Sequence, residues 1–172
     1  NDIQSILKAY EINLPLTQKT GNTKAELTLK IPYLESLPMS TKGNFKISDS
    51  QIFINTFPFY SNNAEVVLTD SIVEVKNADF KHKDMIDAFI NSLTIDTNSL
   101  KSSGDVLLNS FSIKNGKDSI VNITNKQMPI NMDFGKDTII ELKDLATNIK
   151  ISDLVYVDIK NLSKIYPYSK LL

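Results

Sequence analysis

The feature that most constrains this chain is short apolar–polar alternation, repeated from about residue 25 onward. It reads Leu27-Thr-Leu-Lys-Ile31, Phe45-Lys-Ile47, Gln51-Ile-Phe-Ile54, Val73-Glu-Val75, Ile130-Asn-Met-Asp-Phe134 and Asn148-Ile-Lys-Ile151. Side chains alternate across a strand, so each run presents one apolar face and one wet face. The spacing predicts a mainly β, antiparallel fold: a curved or elongated sheet with one or two short helices.

Turn chemistry separates the runs. Gly21-Asn22, Lys42-Gly43-Asn44, Asp49-Ser50, Ser61-Asn62-Asn63, Ser103-Gly104-Asp105, Asn115-Gly116-Lys117 and Gly135-Lys136-Asp137 read as turns. Asn115-Gly116 is the strongest, because both residues suit the positive φ of a tight hairpin. Their spacing, roughly 8–15 residues, fits antiparallel meanders. A strand, an Asp or Asn turn and a second strand recur loosely at Phe45–Ile54, Val66–Val75 and Ile140–Ile149.

Three stretches depart from alternation. Ile3, Ile6, Leu7 and Tyr10 fall at helical spacing behind Asp2, and Pro15 ends that possibility. Residues 85–95 can be written as helix or strand, and the strands on either side favour strand. Asn161 to Tyr166, before Pro167, reads as a capped helical turn. No linker divides the sequence, so residues 1–172 read as one domain, or as a segment of a longer sheet protein.

Chemistry is sparse. There is no cysteine, which excludes thiolate catalysis and cysteine-ligated metals. The single histidine, His82, lies between lysines in Asp79-Phe-Lys-His-Lys-Asp84 and reads as a solvated turn or strand edge. The aspartates at 49, 70, 105, 118, 133, 137 and 153 lack the dense spacing of a calcium loop. No Gly-x-Ser-x-Gly elbow and no glycine-rich phosphate loop occurs. The aromatic segment Phe53, Phe57, Phe59 and Tyr60 has no basic residues among it and reads as packing. The chain is therefore expected to be no enzyme, with no cofactor and no metal.

Charge excludes a further class. The net charge is -1, and all 19 basic residues are lysine. Without a positive field or arginine forks, no nucleic-acid partner is expected.

Residues from about Ser40 onward resemble the AsmA-like superfamily of bacterial envelope proteins, especially its YhdP-type branch. The residues that carry the likeness are Thr41-Lys-Gly-Asn-Phe-Lys-Ile-Ser-Asp49, Ala64 to Asp79, Ser103 to Ile113 and Asp158 to Leu172. The resemblance implies a β-groove with an apolar interior and a role in phospholipid transport between inner and outer membranes. It also implies a periplasmic location, with an inner-membrane anchor in the full-length protein. The helical stretches and the length depart from a pure groove.

The face expected to meet lipid comprises Leu27, Leu29, Ile31, Phe45, Ile47, Val73, Val75, Ile130, Met132, Phe134, Ile149 and Ile151. The alternative is a structural or adhesive β-sandwich module that binds protein or glycan. Alternation alone leaves both open, because a lipid-facing and a core-facing strand look alike.

Overall fold

The computed structural model describes Ser5, Lys8, residues 16–34 and residues 36–170. Apart from Ser5 and Lys8, the helix expected over residues 3–10 lies outside the described residues.

Among the described residues ten strands form one antiparallel sheet in chain order. They are β1 (Leu16–Lys30), β2 (Ser40–Ile54), β3 (Phe57–Thr69), β4 (Ile72–His82) and β5 (Ile86–Asp96). Then follow β6 (Lys101–Asn115), β7 (Asp118–Phe134), β8 (Thr138–Leu142), β9 (Thr147–Ile151) and β10 (Val155–Ile159). The fold is thus mainly β and antiparallel, as the alternation predicts, and the sheet is not closed: among the described residues no strand pairing joins β1 to β10. The segment 86–95 is strand, because Ile86 to Asp96 pairs with both β4 and β6.

The strands are longer than their alternation suggests, because the inner face changes parity inside them. In β2 the inward positions are Thr41, Gly43 and Phe45, then Ser50, Ile52 and Ile54. In β4 they are Val73 and Val75, then Ala78 and His82. In β5 they are Ile86, Ala88 and Ile90, then Leu93 and Ile95. In β7 they are Val121 and Ile123, then Met128, Ile130, Met132 and Phe134. β3 and β6 switch in the same way, between Ser61 and Ala64 and between Leu108 and Phe111.

An Asn or Asp stands at each switch from β2 to β7, and the switches face each other in pairs. Asp49 and Asn62 lie between the paired flanks Ser48↔Asn63 and Ser50↔Ser61. Asn77 and Asn91 lie between Lys76↔Ser92 and Ala78↔Ile90. Asn109 and Asn125 lie between Leu108↔Lys126 and Ser110↔Thr124. Asp49, Asn77 and Asn125 have φ of 50°, 49° and 50°, the left-handed region that Asn and Asp tolerate best. Gly21, at φ 103°, makes the equivalent irregularity in β1. True bulges, with a shift of register, lie at Thr20 in β1 and, in the β5–β6 pair, at Asn91 and at Asn109, and each bends its own strand. The line of switches steps sideways between β5 and β6, where Asn91 and Asn109 are offset by about four residues. With buried side chains on both sides of it, a single sheet supplies both walls of its own core.

This line corrects the reading of several turns. Gly21-Asn22, Lys42-Gly43-Asn44, Asp49-Ser50, Ser61-Asn62-Asn63 and Ser103-Gly104-Asp105 lie inside strands. The residues that suit turns also suit mid-strand bends. Gly135-Lys136-Asp137 is a true hairpin turn, and so is Gly116-Lys117, where Gly116 takes the positive φ while Asn115 ends β6, paired with Asp118. The apparent repeat dissolves likewise: Phe45–Ile54 lies within one strand, whereas Val66–Val75 spans the β3–β4 hairpin.

Of β7, β8 pairs only with residues 130–134, so the first half of β7 is paired with β6 but has no strand on its other side among the described residues. The chain end covers it. A short helix, Leu162–Ile165, is capped by Asn161, whose Oδ1 accepts from the Ser163 N–H at 3.1 Å. Beyond it Ser169 bridges Val121, and the Lys170 N–H donates to Ile120 O at 3.0 Å. Ile165 and Leu145 are buried beneath this strap.

Candidate functional site

The inner face of the bent sheet is the candidate site. Phe45, Val73, Val75, Ile130, Met132, Phe134, Ile149 and Ile151 are buried on it. Leu27 and Ile47 are half-buried against it, and Leu29 is half-buried on the edge strand β1. Ile31 does not join them. It lies past the end of β1 and is 66 % exposed, so strand alternation no longer fixes its direction.

The same face carries side chains that the simple alternation misses. Ile86, Ala88 and Ile90, with Leu93 and Ile95, line it from β5, and Val106 and Leu108 from β6. Their signal is two alternations out of phase, broken at Asn91 and Ser92, which mimics a helical repeat.

Between the walls is a narrow space of about 70 Å³, bounded by Leu16, Ile54 and Phe59 on one side and Phe134, Ile140 and Leu142 on the other. Every lining side chain is apolar. On the scale of 10–15 Å³ per water, the space would hold roughly five. It is far smaller than a complete acyl tail.

His82 is not solvated. It is 8 % exposed, with its ring centroid 4.0 Å from that of Phe57. Nδ1 lies 2.6 Å from Pro58 O, which can only accept, so Nδ1 carries the proton. Its lysine neighbours do not draw it outward: Lys81 lies on the other face of β4, and Lys83 stands in the turn that follows. The aromatic segment splits: Phe57 and Phe59 pack edge to face at 5.3 Å, while Tyr60 is exposed and Lys19 lies over Phe53. Among the described residues, no group of three His, Asp or Glu side chains is placed to hold a metal ion.

The outer face is polar. A shallow cleft of about 590 Å³ runs over β5–β9, lined by Asp96, Lys101, Asn131, Asp133 and Glu141 among others. Asn131 Nδ2 donates to Glu141 at 3.2 Å. Among the described residues no aromatic side chain lines this cleft, so a sugar ring would find no stacking surface there. Lys81–Asp87 at 3.0 Å and Lys150–Asp137 at 2.9 Å are half-exposed pairs of small energetic weight.

Exposed apolar side chains gather in two places. Ile31, Tyr33, Leu34 and Leu37 project from the β1–β2 connection, with Tyr33 fully exposed, and Leu154, Tyr156, Leu162 and Tyr166 lie near the chain end. No helix among the described residues is long and apolar enough to cross a membrane. No protein-family model, curated protein or solved structure matches this chain.

Proposed function

We propose that this chain holds the acyl tail of a phospholipid against the inner face of its bent sheet, without catalysis. In this reading it forms part of a route for lipid across the periplasm between inner and outer membranes, within a protein anchored in the inner membrane. The observation that carries it is the unbroken apolar lining from Leu16 to Leu142. Each methylene moved from water onto such a surface gains about 0.8 kcal/mol. The AsmA-like resemblance points the same way.

A second reading has its own observation. The interior is nearly filled by the chain's own side chains, and among the described residues no strand pairs with the edge of β1 that faces away from β2 over residues 19–30. A protein module that accepts a partner strand at that edge would look like this.

Native mass spectrometry with organic extraction, on protein purified gently from a bacterial envelope, separates them. Bound phospholipid that survives Ile139→Asp on the outer face and is lost with Met132→Asp on the inner face supports the first reading. A folded, lipid-free protein under the same conditions rejects it.

A further inference from the structure

We propose that the seam between the β2–β3 turn and the β9–β10 turn is the portal through which an acyl chain reaches the inner face. This rests on the lipid-holding reading above. An interior of about 70 Å³ cannot admit a tail unless its walls part. From β1 to β10 every neighbouring pair of strands is joined by a backbone ladder. Parting any of these would break several hydrogen bonds at once, each worth about 1 kcal/mol net.

The seam is different. Among the described residues no strand pairing crosses it, and side-chain hydrogen bonds hold it instead. Asn55 Nδ2 donates to Ile151 O at 3.0 Å, and Thr56 Oγ1 donates to Ser152 O at 3.2 Å. The residues next to these polar contacts are apolar: Ile54, beside Asn55, and Ile151 are both buried, and Ile54 lines the interior together with its β1 partner Leu16. Leu154, 63 % exposed, sits on the outer lip of the β9–β10 turn. A thin polar latch thus separates an exposed apolar lip from the apolar interior.

The test joins the two turns covalently. Thr56→Cys with Ser152→Cys gives a unique thiol pair, because the chain has no cysteine of its own. A short bismaleimide links them, and uptake of a pyrene-labelled fatty acid is followed by fluorescence. With thiols capped singly, the protein takes up the probe; with the turns joined, uptake slows at least tenfold while circular dichroism stays unchanged. The control, Lys24→Cys with Lys46→Cys, links exposed partners on β1 and β2 away from the seam and leaves uptake as it was. Uptake as fast through the joined seam as through the free one overturns the portal alone. A protein that takes up no probe in any state overturns the lipid-holding reading, and the portal with it.

Discussion

Asn109 Nδ2 donates to Asp87 Oδ1 at 2.9 Å, which ties the bend residue of β6 to the neighbouring strand β5. Burial alone would raise the Asp87 carboxyl. The hydrogen bond from Asn109 and the ammonium of Lys81 outweigh it and hold the carboxyl below its usual value. The folded state therefore favours the anion. Its contribution to stability is present above the unfolded value, near 3.8, and is lost as pH falls through the lower folded value. Asn109→Ala is expected to raise the Asp87 pKa towards normal, read from its carboxyl shift in an NMR titration. An unchanged titration would show that the bond contributes nothing.

Asn77 is the sharpest test of the bend line. Its φ of 49° is costly for a β-branched residue and easy for glycine. Asn77→Val is expected to cost about 1–2 kcal/mol more than Asn77→Gly in urea unfolding, although valine has the higher strand propensity. Should valine be the more stable variant, β4 does not bend there.

The strand content is legible in the sequence because alternation survives between bends, as in Ile130 to Phe134. The strand lengths are not. A parity switch at Asp49 or Asn77 looks in sequence like the end of one strand and the start of another, since Asn, Asp and Gly serve bends and turns alike. The same ambiguity hides the inner-face residues of β5, whose two halves face inward out of phase on either side of Asn91. His82 reads as solvated because flanking lysines say nothing about the alternate face of a strand, where Phe57 and Phe59 await it. Ile31 shows the converse: alternation extends in sequence one step beyond the strand that justifies it.

Ser102 is a polar residue on an apolar wall. It stands opposite Ile95 on β5 and Met132 on β7, is 7 % exposed, and its Oγ has no hydrogen-bond partner among the described residues. Burying an unpaired hydroxyl costs about 1–3 kcal/mol. Ser102→Ala removes that cost and leaves a void smaller than a methyl group. The expected gain is about 1 kcal/mol, or a rise in Tm of about 2–4 °C for a domain of this size. A loss of stability in thermal unfolding would mean that the hydroxyl is hydrogen-bonded in solution.

Gly104 faces the bend of β5 so closely that a side chain has nowhere to go. A Cβ there would run into the carbonyl oxygen of Ser92 and come within 2.8 Å of the Leu93 Cα. Both are backbone atoms, held by the ladder that pairs Leu93 with Gly104 and Val75. Gly43 is crowded in a different way: its Cβ would meet the ring of Phe45 at 2.7 Å. A ring can turn aside, whereas a paired strand must break register. Gly104→Ala is therefore expected to cost about 2–3 kcal/mol, and Gly43→Ala clearly less, as measured by the midpoint of urea unfolding. Equal losses would mean that β5 and β6 yield as readily as a side chain does, and that the bend at Asn91 is not rigid.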